Sequence, residues 1–232
     1  ITASDQTKGH RVLGGGKWVS VRDAVSYLSI LERQGVIVDP QRRRELIGEQ
    51  IAAICQKTGL QLNQDKELLD QAVYSTEQPS AIIGSFKEAF LDVPEEILIT
   101  SMKEHQGFFS LRHKQSGKLA PHFITVANNQ AKDMSLIREG NERVLAARLA
   151  DAKFFFDEDR KVRLEERTKK LGGITFHQKL GTMAQKQERV RKLAGFIAGQ
   201  VPSGQTELRP LAERAASLSK ADLLTGIVGE FP

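Results

Sequence analysis

Asn141-Glu142-Arg143-Val144-Leu145-Ala146-Ala147-Arg148-Leu149-Ala150-Asp151-Ala152-Lys153-Phe154-Phe155-Phe156 is the stretch from which the chain is read outward. Leu145, Leu149, Ala152 and Phe156 recur at helical spacing, so a helix lays them in one apolar stripe. Arg148 and Asp151 stand three apart beside it, within pairing reach. Two readings of Arg148 stand together: an ion pair with Asp151, or a cation open to a polyanion. From Arg138 to Lys192 there are 15 Lys and Arg against 9 Asp and Glu, a net of +6, while the whole chain carries only +5. The basic excess is therefore local, and a polyanion meets the chain here first.

At 232 residues, 40% hydrophobic and 27% charged, the composition is that of a soluble globular protein with enough chain for a real core. A pI near 9.3 fits a nucleic-acid partner without requiring one. Cys55 is the single cysteine, which excludes an internal disulfide and a cysteine-based zinc cluster and fits a reducing compartment, the cytoplasm. Its neighbours Ile51 and Ile54 make it a buried, inert thiol rather than a nucleophile. No apolar run has the length of a membrane span, and no signal peptide is visible. The chain starts at Ile1 and stops at Phe231-Pro232, and it reads as a piece of a longer protein.

Lys8 to Leu13 reads as extended, followed by a Gly14-Gly15-Gly16 loop that lacks phosphate-binding glycine spacing. Ser20 is the expected cap of a helix through Gln34 that turns Ala24, Leu28 and Leu31 to one face, with Gly35 as its stop. Asp39-Pro40 opens a helix that carries Leu46, Ile47, Ile51 and Ile54 and ends at Gly59. Arg42, Arg43 and Arg44 fan around it as a solvated face, with phosphate contact the weaker reading. Asp65 caps a short helix with Leu68, Leu69 and Val73. Ala81-Ile82-Ile83 reads as a buried strand, Val93-Pro94 opens a helix with Ile97, Leu98 and Met102 inward, and Phe108–Leu111 and His122–Val126 form a hairpin turning at Gly117. From Asp133 onward the pattern is helical throughout. Thr182 and Gln185 form a capping box before a stripe of Met183, Val190, Leu193 and Ile197, and Val201-Pro202-Ser203-Gly204 is a loop before two further helical stretches. The fold class is α+β: a mixed segment over 1–132 with a small antiparallel sheet, then a helical region over 133–232.

No catalytic residues and no metal ligands emerge. The five histidines lack metal-ligand spacing. His105, beside Phe108 and Phe109, reads as a surface or satisfied histidine before it reads as a ribose or base contact. Asp157-Glu158-Asp159 offers carboxylates for Mg²⁺, yet Arg160 and Lys161 follow directly, and a self-neutralised helix end is the stronger reading. Phe154, Phe155 and Phe156 point three ways around a helix, one ring into the core.

Several blocks together carry a resemblance. Gly140-Asn141-Glu142-Arg143-Val144-Leu145, Arg148 through Phe156, and Phe176-His177-Gln178-Lys179-Leu180-Gly181-Thr182 closely resemble the β subunit of bacterial glycyl-tRNA synthetase. Gly9-His10-Arg11, Gly35 through Asp39, Ile99 through Gln106, Leu119 through Asn128 and Lys220-Ala221-Asp222-Leu223 match in the same order. Ala146, His177, Gln185 and Gly107-Phe108 depart from common family residues.

The resemblance implies the middle third of a longer subunit. It implies an α2β2 heterotetramer whose α subunit uses ATP with Mg²⁺ to activate glycine, this region itself holding no cofactor, while β recognises glycine tRNA. It implies a body-tail or editing-like module over 1–132 and the start of a degenerate HD-type domain over 133–232, consistent with the absence of any His-Asp dipeptide. Arg143, Arg148, Lys153, Arg160, Lys161, Lys179, Lys186 and Arg189 are the candidate phosphate contacts, in the basic stretch. Two rivals remain: a scaffold that docks the α subunit without touching tRNA, and an HD-type metal phosphohydrolase. No membrane partner is expected.

Overall fold

The computed structural model describes residues 4–130, 133–201 and 208–231. The chain divides into two compact units, Ile1–Ala150 and Asp151–Pro232.

The first unit opens with an antiparallel pair, β1 (Gln6–Lys8) and β2 (Trp18–Ser20), with Thr7 opposite Val19. Ser20 closes β2, so the cap of the first helix passes to Asp23, whose carboxylate accepts from the Ser26 amide at 2.7 Å. Asp and Ser cap about equally well, so it is the pairing of Ser20 in β2 that moves the cap on, and α1 runs Ala24–Arg33. Of its expected inward face only Leu31 is buried; Leu28 is exposed. Lys8 to Leu13 is extended only at its start, because the chain turns from Arg11 to Gly16.

α2 (Pro40–Thr58) begins behind the Asp39 cap and ends at Gly59, whose φ of 71° suits a residue without Cβ. β3 (Leu60–Leu62), the Asp65-capped α3 (Lys66–Ser75), β4 (Ser80–Ser85), α4 (Glu95–Gln106), β5 (Phe109–His113) and β6 (Leu119–Ala127) follow. The four strands form an antiparallel sheet in the order β3-β5-β6-β4. Ile47 and Ile51 of α2 and Leu68, Ala72 and Val73 of α3 close over Phe109, Leu111 and Ile124 on one face of it. Each fully buried large side chain there contributes about 1.5–3 kcal/mol. Side chains alternate along β5, so Arg112 points to the other face. There its guanidinium donates to both oxygens of Glu95 on α4, at 2.9 and 3.1 Å. Phe108 and Phe123 stack at 4.6 Å between centroids.

The arginine trio is not a solvated fan. Arg43 donates to three backbone carbonyls, among them Val73 at 2.8 Å and Val38 at 3.0 Å, Arg44 pairs with Asp70, and Arg42 pairs with Glu45 and Glu49. Carbonyls left over at α3 and in the link before α2 need donors, and the guanidinium fork supplies them.

α5 (Met134–Asp159) starts after Asp133, which accepts from the Ser135 amide at 2.9 Å. Leu145, Leu149 and Ala152 are fully buried and Phe156 is half-buried, so the stripe quoted above is core. Glu142 accepts from the Ser85 amide at 2.8 Å, at the end of β4.

In the second unit α6 (Leu164–Thr168) leads to a short hairpin, β7 (Thr175–His177) and β8 (Gly181–Thr182), then α7 (Met183–Gln200), α8 (Leu208–Leu218) and α9 (Gly226–Glu230). The hairpin interrupts a stretch expected to be helix throughout. Gly181, with φ of 88°, and the exposed turn before it take that segment out of helical register. The loop expected at Val201-Pro202-Ser203-Gly204 lies beyond Val201 outside the described residues. The last helical stretch breaks into a 3₁₀ turn, Ala221–Leu224, and α9.

α7 and α8 run antiparallel. Gln187 donates to the Ser217 and Ser219 carbonyls at 2.8 Å each, Arg191 meets Glu213 at 3.0 Å, and Gly195 lets Glu213 lie close. α8 therefore packs on the flank of small and polar residues, and the expected inward stripe is left open: Leu193 and Ile197 are both more than half exposed.

Candidate nucleic-acid interface

The eight cations named from the sequence fall into two groups. Arg143 and Arg148 lie exposed on α5 in the first unit, and among the described residues neither forms an ion pair. The internal pair for Arg148 is thus not made. The other six lie in the second unit, where their surroundings differ.

Two have their charge partly occupied: Lys153 meets Asp157 at 3.1 Å and Lys161 pairs with Glu158, while Arg160 lies over the Phe156 ring at 5.5 Å and keeps its charge. The carboxylates of the acidic triplet are thereby spent. Asp159 is the third: it accepts from the amides of Gly226 and Ile227 at 3.0 and 2.9 Å and pairs with Arg167 at 3.0 Å. Among the described residues no group of three or more His, Cys, Asp or Glu is placed to hold a metal.

Lys179, Lys186 and Arg189 come together at the hairpin and the start of α7. The turn is built locally. Leu180 N–H donates to the His177 carbonyl at 3.0 Å, and Lys179 N–H donates to His177 Nδ1 at 3.1 Å. The capping box fixes the helix start: Thr182 N–H donates to Gln185 Oε1 at 2.8 Å, and Gln185 N–H returns to the Thr182 hydroxyl. A Cβ on Gly181 would lie 1.7 Å from Gln185 Oε1, so the box requires glycine there.

Lys179 and Arg189 line a groove of about 640 Å³ with Gln178, Leu180, Gln185 and Glu188. Its one carboxylate, Glu188, is held by Arg191 at 2.8 Å through two nitrogens, and these bonds keep it below the usual carboxylate range. Among the described residues Lys179 and Arg189 form no ion pair. Lys186 stands 3.9 Å over the Phe176 ring, which orients its ammonium without neutralising it. The positive end of the α7 dipole adds to the same field. The arrangement suits phosphate oxygens: mobile cations at a helix start, with amide side chains as further donors.

The Phe176 ring under Lys186 was not read from the sequence, because a spacing of ten residues across a turn gives no local signal. Lys169 and Lys170, exposed before the 3₁₀ turn Leu171–Gly173, were also passed over; their signal is the charge excess itself.

Elsewhere the described residues fit structure. His10 is buried, with Nδ1 accepting from the Val12 and Leu13 amides and Nε2 donating to Asn128. His105 is exposed on the last turn of α4. An apolar groove of about 510 Å³ runs beside Cys55, between α2, β3 and the start of α3, and burial pushes that thiol up. No helix among the described residues is long and apolar enough to cross a membrane.

Comparison with known proteins bears on the same stretch. The family model described as glycyl-tRNA synthetase beta subunit matches residues 1–232. The chain is 46% identical over 233 residues to the glycine--tRNA ligase beta subunit of Phenylobacterium zucineum, covering 100% of this chain and 35% of the relative. It is 47% identical to that of Trichlorobacter lovleyi over 233 residues and 47% to that of Geotalea uraniireducens over 232, in each case across 100% of this chain and 33% of the relative. The chain thus spans about a third of the length of these curated relatives. With α5, the hairpin and the capping box all inside the matched span, the chain belongs to the glycyl-tRNA synthetase beta subunit family.

Proposed function

We propose that this chain is the part of a glycine–tRNA ligase β subunit that holds tRNA by its phosphates. It thereby supports the ATP-dependent attachment of glycine to glycine tRNA by a catalytic α subunit in an α2β2 assembly in the cytoplasm. ATP and its Mg²⁺ belong to the α subunit in this reading, and the chain supplies grip and position. The module assignments form part of the same proposal: body-tail or editing-like over 1–132, and the start of a degenerate HD-type domain over 133–232.

One observation supports the reading most directly. Lys179 and Arg189 flank a groove whose single carboxylate is already held by Arg191. A basic groove left without its own counter-charge favours a polyanion, and membership of a tRNA synthetase family supports tRNA as that polyanion.

The test uses the assembled α and β subunits. Binding of glycine tRNA is measured across a salt series for wild type, Lys179→Ala and Arg189→Ala. Each substitution is expected to weaken binding and to flatten the dependence of log affinity on log salt by about 1. Unchanged affinity and slope in both variants would reject the groove as a phosphate site and favour the scaffold reading.

A further inference from the structure

We infer that the open face of α7 seats an amphipathic helix supplied by the same β subunit from outside these 232 residues. Val190, Leu193 and Ile197 follow the three- and four-residue spacing of a two-helix seam, with β-branched Val190 and Ile197 at one position, leucine at the other and Met183 seven residues before Val190. α8 occupies a different flank, through Gln187, Arg191 and Gly195. Among the described residues the seam is left open: Val190 is 40% exposed, Leu193 58%, Ile197 54% and the adjoining Phe196 64%. A contiguous apolar stripe at this spacing is the surface a helix presents to another helix.

The source follows from size. From Val190 to Ile197 the seam is about two turns long. An interface that small falls well below the area that holds separate chains together. A helix tethered to the same chain meets it at a roughly millimolar effective concentration, where two turns suffice. The relatives are about three times as long as this chain, which leaves about two-thirds of such a subunit to provide the helix. At the N-terminal end the seam gives way to Lys186 and Arg189, which the proposed tRNA contact uses, so the incoming helix covers it from Val190 onward.

Substituted cysteines test this in the full-length β subunit. Leu193→Cys and Ile197→Cys are treated with a thiol reagent, and labelling is read peptide by peptide so that Cys55 is scored separately. Phe196→Cys replaces either variant that does not fold. The denatured subunit gives the unprotected rate. The expected result is loss of labelling at both positions in the β subunit alone, unchanged on dilution. Labelling at the unprotected rate in β and in the α–β assembly overturns the inference. So does protection that appears only on adding the α subunit, which assigns the face to a partner, or only on adding tRNA. Protection that fades on dilution assigns it to a second copy and also overturns it.

Discussion

His10 and Asn128 are 118 positions apart in sequence, and the His10 Nε2 nitrogen lies 3.0 Å from the Asn128 carbonyl oxygen. Because Nδ1 accepts two amides, Nε2 must carry the proton and donate. The Asn128 side-chain oxygen also accepts from the amides of Glu77 and Gln78, at 2.8 and 3.0 Å. One histidine thus fastens the N-terminal turn to the end of β6. His10→Ala removes the acceptor of two amides and the imidazole donor to Asn128. It is expected to lower stability by about 2–3 kcal/mol, read from the midpoint of denaturant unfolding. A midpoint shift within error would show that the contact contributes no net stability.

Gly84 lies under the Phe123 ring. A Cβ there would stand 2.4 Å from Phe123 Cζ, and Phe123 is fully buried. Gly84→Ala is expected to cost about 1–3 kcal/mol through overpacking. Phe123→Leu alone also destabilises, but the double variant should be more stable than the sum of the two single losses. Strict additivity in thermal or chemical unfolding would contradict the close-packing account.

Asp159 has two tasks, capping Gly226 and Ile227 and pairing with the largely buried Arg167. Asp159→Asn keeps the size and loses the charge. Leaving a buried guanidinium without its carboxylate costs about 3–5 kcal/mol. Proteolysis of the second unit should quicken accordingly, while Asp157→Asn, whose partner Lys153 is more exposed, changes little.

His122 sets a pH dependence. Among the described residues its Nδ1 is buried without a hydrogen-bond partner, and burial, helped by His113 and opposed by Glu142, holds the imidazole below its ordinary value. The folded state therefore binds fewer protons than the unfolded state. The contribution is complete above the unfolded value of about 6.5 and is lost as pH falls through the lower folded one. Unfolding free energies of wild type and His122→Asn, taken from pH 8 down to 5, should converge toward the acid end. Parallel curves would count against this assignment.

Among the candidate cations a ranking follows from their neighbours. Lys153→Ala and Lys161→Ala should change the salt dependence of tRNA binding less than Lys179→Ala, because each already has a carboxylate beside it. Equal effects from all three would mean that those ion pairs open on binding.

The caps at Asp39, Asp65 and Thr182, three of the four strands of the larger sheet and the buried stripe of α5 were legible because each depends on neighbours in sequence, whereas the cap read at Ser20 falls to Asp23. Asp39, Asp65 and Thr182 bond amides two or three residues on. The misreadings depend on distant partners. No local pattern shows that Arg43 will meet the Val73 carbonyl or that α8 will choose the Gly195 flank of α7 over the Leu193 flank. The candidate site was legible as a charge excess only. Which of its cations keep their charge available depends on which carboxylates fold beside them: the self-neutralised helix end anticipated this for Lys161, nothing in the sequence reading did so for Lys153, and of the two readings of Arg148 the ion pair with Asp151 is not the one formed.

The strand order β3-β5-β6-β4 bears on how the chain emerges from a ribosome. Leu60–Leu62 has no strand to pair with until Phe109–His113 is out, and Ser80–Ser85 waits for Leu119–Ala127. At roughly 5–20 residues per second that interval lasts a few seconds, with Ile82 and Ile83 lacking their eventual neighbours. The nascent chain is then a client for any holdase that reads short apolar strands, and a pause in translation shortly before Leu119 would lengthen that exposure.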